Sequence, residues 1–482
     1  MKKGETHKLR IASLAPGGEG VSRDLGIPVF VNRVAPGDLA EVKLFDVRKD
    51  FARGAVVTVI EPAAVRVEPP CKIFKVCGGC QWQHVDYAAQ LEAKADILRQ
   101  AIKHIGKLSP DLVLPTIGAV DPLFYRNKVQ FPVDSVAATG RILAGYYKEG
   151  SHELVNIKHC PVQPEPLDRA LDACKQIAQK HKLSTYDEQT GAGLLRHIAM
   201  RYSFAANRVL VTLVVNDLPD NAPLTKQLQA VAAEILREVP EAAGVCANFN
   251  STRGNRIMGD QVVSLAGDSH LIEVLRSNLN WAPELLRHGI KYQLSSTSFF
   301  QVNSKQAAVL LDQLLSAVID RAGESGEPMS LPKVPLLIDA YSGVGTMALW
   351  LSAIAERVFA IEEWPAAVQD AAINCRLNGI DNVELIEAKV EDEALRLVAQ
   401  GVKADVIVVD PPRKGLHPSL VSALVALAPR RIAYVSCNPA TLARDLRILE
   451  DNGYKTKRIQ PVDMFPQTYH VESVTVLDRQ GT

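Results

Sequence analysis

A chain of 482 residues in which Lys plus Arg equals Asp plus Glu at 54 each has no global basic field, so any nucleic-acid surface must be local. At roughly 100 to 200 residues per domain it exceeds a single core, and we expect three domains: residues 1–62, a β-barrel; 63–285, an α+β middle domain; 286–482, an α/β domain. Met1-Lys2-Lys3-Gly4-Glu5-Thr6-His7-Lys8 has no apolar run behind its charges, and nothing later approaches the ~18 apolar residues of a membrane span, so a cytoplasmic monomer without a membrane partner is expected.

Residues 8–61 read as short β-rich runs punctuated by Gly and Pro, among them Leu9-Arg10-Ile11, Val29-Phe30-Val31, Leu39-Ala40-Glu41-Val42 and Ala55-Val56-Val57-Thr58-Val59-Ile60. That spacing predicts a small five-stranded, OB-like barrel. Arg48, Lys49 and Arg53 fall on its later strands or loops, as an oligonucleotide contact or a solvated basic edge. Residues 62–70 are extended and Pro-containing, a linker. Cys71, Cys77 and Cys80 follow at close spacing, which in a cytosolic chain points to metal ligands or nucleophiles rather than disulfides. Residues 87–98 combine strong helix formers with apolar residues at helical spacing, and a helix over about 86–104 is a candidate to pack on the C-terminal domain. From 125 to about 281, β-type runs such as Val209-Leu210-Val211-Thr212-Leu213-Val214-Val215 mix with Ala-rich helical stretches.

From Leu336 the pattern changes to apolar runs alternating with helical stretches: Leu336-Leu337-Ile338, Val358-Phe359-Ala360-Ile361, Val383-Glu384-Leu385-Ile386, Val406-Ile407-Val408-Val409 and Ile432-Ala433-Tyr434-Val435. Runs apolar on both faces belong to a parallel sheet covered by helices on each side, a doubly wound, Rossmann-like domain. The first run ends in Asp339-Ala340-Tyr341-Ser342-Gly343-Val344-Gly345-Thr346, where glycines let the backbone approach a ligand and a helix begins at about Thr346. The second ends in Glu362, beside Glu363, where a carboxylate can hold two ribose hydroxyls. A dinucleotide site needs a third glycine for tight helix packing and room for a pyrophosphate; this loop reads Gly343-Val344-Gly345-Thr346-Met347-Ala348, so S-adenosylmethionine is favoured over NAD. The fourth run ends in Asp410-Pro411-Pro412-Arg413-Lys414-Gly415 and the fifth in Ser436-Cys437-Asn438-Pro439. Ligands of open α/β sheets sit beyond the carboxyl ends of the strands, so both segments face that cofactor.

Taken together, these segments resemble the RNA uracil-C5 methyltransferase family. The matching motifs are Ser298-Phe299-Phe300-Gln301-Val302-Asn303, residues 339–345, Asp410-Pro411-Pro412-Arg413, Ser436-Cys437-Asn438-Pro439 and His470-Val471-Glu472, in an order that covers the C-terminal half. The resemblance implies S-adenosylmethionine-dependent methylation at C5 of a uridine in RNA. Cys437 becomes the nucleophile and Glu472 the general base, with the cofactor bound through Gln301, Tyr341, Glu362 and Asp410. The chemistry needs such a set. Uracil C5 is too weak a nucleophile until a thiolate adds at C6; a base must then remove the C5 proton. Asp410 can also read the N3–H of the base, and the uracil must be flipped or single-stranded. Ser342 stands where several members carry Cys, and Thr346 where some carry Asn.

Upstream, the barrel resembles a TRAM domain, an RNA-binding module. Members with this layout carry a [4Fe–4S] cluster, whose first three ligands match Cys71, Cys77 and Cys80 and whose fourth matches Cys160 in His159-Cys160-Pro161. Four thiolates on their own fit zinc as well. Cys174, Cys246 and Cys375 match nothing and are expected in the core. Tyr125-Arg126-Asn127-Lys128 and Leu195-Arg196-His197 fall where the family shows a pattern, as RNA-phosphate or loop contacts. Members with a TRAM domain and a cluster usually modify large-subunit ribosomal RNA, so 23S rRNA is the expected partner. The alternatives are a transfer-RNA uridine-C5 methyltransferase, an N-methyltransferase and a non-catalytic RNA-binding assembly factor.

Overall fold

The computed structural model describes residues 1–319 and 333–481; residues 320–332 and 482, inside the segment expected at 286–482, lie outside it. The N-terminal strands form one sheet in the order Thr6–Arg10, Leu39–Val47, Ala52–Glu61, Val29–Val31, Gly20–Ser22 and Ser13–Leu14. Its two edges are halves of one strand broken at Ile11-Ala12, so the sheet curls back on itself around Leu9, Ile11, Val29, Val31, Val42 and Leu44. That break makes six strands where five were expected. Arg53 lies on the strand Ala52–Glu61 with its guanidinium 5.9 Å from the Phe51 ring centroid, Lys49 sits in the preceding bend, and Arg48 pairs with Asp46 at 2.9 Å.

The middle sheet has seven strands, ordered Gln261–Gly267, Ala242–Phe249, Arg208–Val215, Leu195–Ser203, Lys128–Ser135, Ile142–Tyr147 and Leu154–Asn156. Helices Glu165–Lys180 and Ala222–Glu238 pack against it and each other around Phe131, Leu171, Val211, Leu228 and Val231. Cys174 and Cys246 are buried. Arg196 takes the loop role rather than the phosphate role: it is buried, and its guanidinium donates to the carbonyls of Asn250 and Thr252 at 2.7 Å each. Burial pushes His197 down to about 4, so it stays neutral.

The C-terminal sheet runs Val383–Glu387, Ala355–Glu362, Val334–Ala340, Val406–Val409, Arg431–Ser436, Glu472–Arg479 and Tyr454–Val462, with the first five parallel and the last two antiparallel. Side chains alternate across a strand, and both faces are apolar. Leu337, Val358, Val406, Val408 and Val435 fill one core, while Ile338, Phe359, Ile361, Ile407, Val409 and Ile432 fill the other. The helix after the first strand starts at Thr346. The edge strand Tyr454–Val462 exposes Lys455 and Lys457 and carries Pro461, which an edge tolerates. Among the described residues no helix is long and apolar enough to cross a membrane.

The helix Tyr87–His104, capped by Asp86 accepting from the Ala88 N–H, is bound to this sheet through polar contacts. Lys94 and Asp463, both 0% exposed, pair at 2.5 Å. Tyr87 donates to the same carboxylate at 2.9 Å, and Lys94 also to the Phe465 carbonyl at 3.1 Å. Removing one partner of a buried ion pair strands the other charge. Lys94→Met is therefore expected to destabilise by about 3–5 kcal/mol, and Lys94→Met with Asp463→Leu to recover much of that loss in denaturant melts.

Candidate active site

Strand register gathers the site. Ala340 pairs with Val409, and Val409 with Tyr434, so Tyr341, Asp410 and the turn at Cys437 leave the sheet along one carboxyl edge. The next strand runs the opposite way, with Ser436 facing Ser473. Cys437 and Glu472 are thereby neighbours across the ladder, although 34 residues of helix, edge strand and loop lie between them in the chain.

The two strand-end loops are tied to each other. Asn438 donates to the Arg413 carbonyl at 3.0 Å and caps the helix Pro439–Asp451 by accepting from the Ala440 N–H at 3.0 Å. Gly415 has φ of +77°, and a Cβ there would crowd the side-chain ends of Arg444 and Asp445 at 2.5 Å, so any other residue would strain the turn after Pro411-Pro412. Arg413 then lies 3.4 Å from His470.

Electrostatics separate the roles these groups can play. Burial, then the Asp410 charge, pushes Glu472 up to about 8, with Arg413 opposing. Burial alone pushes Asp410 up to about 7. Cys437 rises to about 11 through burial and then the charges of Glu472 and Asp410, again opposed by Arg413. A thiol thus stands beside two carboxyls that take or release a proton near neutrality. His470, pushed down to about 4 by burial and then by Arg413, Lys94 and Arg126, stays uncharged.

At the glycine turn, Glu362 is 9% exposed and its two oxygens accept the N–H groups of Gly343 and Trp364, each at 2.9 Å. The Ser342 hydroxyl is buried without a partner among the described residues, and a Cβ on Gly343 would meet nothing within 4 Å. Tyr341 holds a left-handed φ of +69° and donates its hydroxyl to Glu391 at 2.8 Å, so the ring rather than the hydroxyl is left for a ligand. Asp339 is fully buried and neither oxygen has a hydrogen-bond partner among the described residues; burial and then the Asp410 charge hold its carboxyl well above the usual range. An orphaned hydroxyl, an open cradle and an oriented carboxylate fit a ligand rich in hydroxyl groups. Gln301 is placed through its backbone, where its carbonyl accepts from Asn127 at 3.0 Å beside buried Phe300 and exposed Phe299. Arg413 and Asp339 belong to this centre, yet the sequence marked them only as parts of motifs.

The other expected cluster lies elsewhere. Cys71, Cys77, Cys80 and Cys160 line one cavity of about 230 Å³, together with Phe74, Arg126 and Tyr146. Arg126 thus faces the cysteines instead of an RNA phosphate, and the buried Tyr146 hydroxyl has no partner among the described residues. Burial pushes Cys80 and Cys160 up to about 12 and raises Cys71 and Cys77. Among the described residues no three His, Cys, Asp or Glu side chains converge on a single-ion site; the thiols ring a space instead. Asp168 steadies the fourth cysteine by accepting from the Cys160 N–H at 3.2 Å and from His159 at 2.8 Å. Cys437 lies outside this lining, and Cys375 is buried in the C-terminal core.

Comparison with known proteins gives a consistent result. A family model described as tRNA (Uracil-5-)-methyltransferase matches residues 261–480, and one for the TRAM domain matches residues 1–57. A protein named uncharacterized RNA methyltransferase from Halalkalibacterium halodurans is 38% identical over 480 residues, 99% of this chain and 98% of its own. One from Thermosynechococcus vestitus is 41% identical over 477 residues, again 99% and 98%. Among solved structures, the Pyrococcus abyssi tRNA (uracil-54, C5)-methyltransferase in complex with S-adenosyl-L-homocysteine superposes with a TM-score of 0.72 at 25% identity, covering 98% of this chain and 100% of that one.

Proposed function

Because the chain belongs to the RNA (uracil-5-)-methyltransferase family, we propose that it methylates C5 of a uridine in 23S rRNA with S-adenosylmethionine as donor, Cys437 as nucleophile and Glu472 as base. The observation that carries this reading is the convergence of Cys437, Glu472, Asp410 and Arg413 at one sheet edge, with two carboxyls held near neutral pKa beside a thiol.

In this mechanism the Cys437 thiol gives up its proton to solvent, the thiolate sulfur bonds to uracil C6, and the displaced π pair makes C5 nucleophilic. Asp410 holds the N3–H edge of the ring, and Arg413 offsets the negative charge that builds up between thiolate and carboxylates. S-adenosylmethionine, when bound, supplies the sulfonium methyl that C5 takes up, and leaves as the neutral thioether. Glu472 then accepts the C5 proton; the C–H pair forms the C5–C6 double bond, the C6–S bond breaks and the Cys437 thiolate returns. Gln301, Tyr341, Glu362 and Asp410 would hold the donor, Glu362 on its ribose hydroxyls.

We assign the amino-terminal barrel over residues 1–62 to RNA docking and the cysteine cavity to a [4Fe–4S] cluster held by Cys71, Cys77, Cys80 and Cys160. Support comes from four thiols around one cavity of about 230 Å³, a volume beyond what one zinc ion with thiolates at about 2.3 Å needs. The reaction itself is polar, so the cluster's work is structural or in RNA docking. Protein purified without oxygen is expected to be brown, with broad absorption near ~400 nm and bound iron; a colourless, zinc-containing preparation contradicts the assignment.

Transfer RNA is the second reading. The Pyrococcus neighbour acts on tRNA by its description and matches over 98% of this chain, barrel region included, so the barrel does not discriminate between the two substrates. Mapping 5-methyluridine in rRNA and tRNA from a deletion strain separates them. Loss of the base from 23S rRNA alone is the expected result; loss from tRNA alone overturns the rRNA assignment, and loss from neither overturns the proposed activity. Either substrate places the enzyme in the cytoplasm.

A further inference from the structure

Residues 463–471 connect the edge strand Tyr454–Val462 to Glu472, and Gln467 sits in the middle of this arm. It is 6% exposed and adopts a left-handed φ of +70°. A non-glycine residue keeps that conformation only where its surroundings over-determine it, and here they do. The Gln467 carbonyl accepts the N–H groups of Gln81 at 3.1 Å and Trp82 at 3.0 Å, the two residues after Cys80. Its own N–H donates to the Gln90 side-chain oxygen at 3.0 Å, and its side-chain oxygen accepts from the Gln90 amide at 3.0 Å. Its amide nitrogen reaches the Pro122 carbonyl at 3.4 Å. Gln90, 1% exposed, completes the joint by donating to the carbonyls of Trp82 and Val85 at 3.1 and 2.9 Å. Just before Gln467, the Pro466 carbonyl accepts from Tyr125 and the Phe465 carbonyl from Lys94. Three distant stretches, the cysteine loop, the helix Tyr87–His104 and residues 122–125, therefore close on three consecutive residues, Phe465, Pro466 and Gln467, in the arm that leads to Glu472. None of these bonds serves the chemistry directly.

We propose that Gln467 is a positioning residue: locked to Gln90 and to the amides after Cys80, it sets the arm that delivers Glu472 to the Cys437 adduct. This rests on the reading of Glu472 as the base. The consequence is specific to one step. Formation of the Cys437–C6 bond and methylation at C5 do not need Glu472; removal of the C5 proton, with cleavage of the C6–S bond and return of the thiolate, does. A shift of the arm by about 1 Å is enough to slow a positioned proton transfer by as much as ~100-fold.

The test uses the full-length protein and a uridine-containing RNA substrate, with denaturing gels to separate the covalent protein–RNA adduct from released methylated RNA. Gln90→Glu keeps the shape but sets a carboxylate against the carbonyls of Trp82 and Val85. It is expected to accumulate adduct at close to the wild-type initial rate while release falls about tenfold or more. Gln467→Ala provides the same readout should Gln90→Glu fail to fold in thermal melts. Adduct formation and release falling in parallel, or a wild-type partition between them, overturns the positioning role. Glu472→Gln runs alongside: accumulation of adduct there but not in Gln467→Ala rejects the positioning role alone, whereas none in Glu472→Gln rejects the base assignment itself.

Discussion

Cys437→Ala is expected to abolish methyl transfer while leaving the fold intact. The side chain is half-buried at a strand end, outside the apolar clusters that hold the sheet together, so its loss opens no large cavity. Chemically the variant lacks the atom that activates C5, and removal of a nucleophile that acts as part of a unit lowers turnover by on the order of 10⁶. RNA containing 5-fluorouridine should trap a covalent adduct with the wild type, because fluorine cannot leave C5 as a proton does, and should trap none with the alanine variant. Full activity in Cys437→Ala would falsify the covalent mechanism and revive an N-methylating enzyme, which needs no thiol. A thiol held up at about 11 also makes the addition step rise with pH across the accessible range.

The second large effect concerns Glu472. Glu472→Gln should stall the reaction after methylation, accumulating the methylated Cys437 adduct and lowering release by about 10²- to 10⁴-fold. In the wild type, release rises as pH passes through about 8, where Glu472 loses its proton, and this limb disappears in the variant. Stability follows the opposite sign. The folded-state pKa is raised from 4.5, so the neutral carboxyl is favoured in the fold; its contribution is complete below 4.5 and is lost as pH climbs through about 8. Asp410, raised from 3.8 to about 7, adds to the same trend. Glu472→Gln, neutral at every pH, should therefore melt at least about 2 °C above the wild type at pH 8, with the difference shrinking at pH 4. An unchanged difference between those pH values would argue that Glu472 is not desolvated.

The parts of the fold legible in the sequence were those written in local patterning. Five parallel strands announce themselves because both faces are buried, leaving apolar runs such as Val406-Ile407-Val408-Val409 with no polar alternation. Their carboxyl ends then show which loops face a common crevice, which is how Tyr341, Glu362, Asp410 and Cys437 fall near one edge. The antiparallel strand Tyr454–Val462 escaped because an edge half-exposed to water reads Lys455-Thr456-Lys457-Arg458, like a polar loop. At Lys128 and Arg196 the sequence left two readings open, RNA-phosphate or loop contact, and backbone carbonyls decide for the loop: Ser298 accepts from Lys128 and Asn250 from Arg196. The helix that carries Gln90 and Lys94 was legible as a candidate to pack on the C-terminal domain, but the polar joint of Gln90, Lys94, Asp463 and Gln467 was not. Its polar partners are 369 to 377 positions apart, and a lone Gln or Lys on a helix is by default a solvated one.

The place of the strand Glu472–Arg479 inside its sheet, between Arg431–Ser436 and Tyr454–Val462, also sets a timetable. At about 5–20 residues per second of synthesis, Lys94 leaves the ribosome roughly 20 to 70 seconds before Asp463, 369 positions downstream. Through that interval the helix face that will carry the buried ammonium has no counter-charge, and Arg431–Ser436 has an open edge. The barrel and the middle sheet can mature early, whereas the catalytic layer and its joint to the cysteine loop must close in one late event. During that window Cys437 and Glu472 are not yet neighbours, because the strand that carries Glu472 has still to be threaded into place.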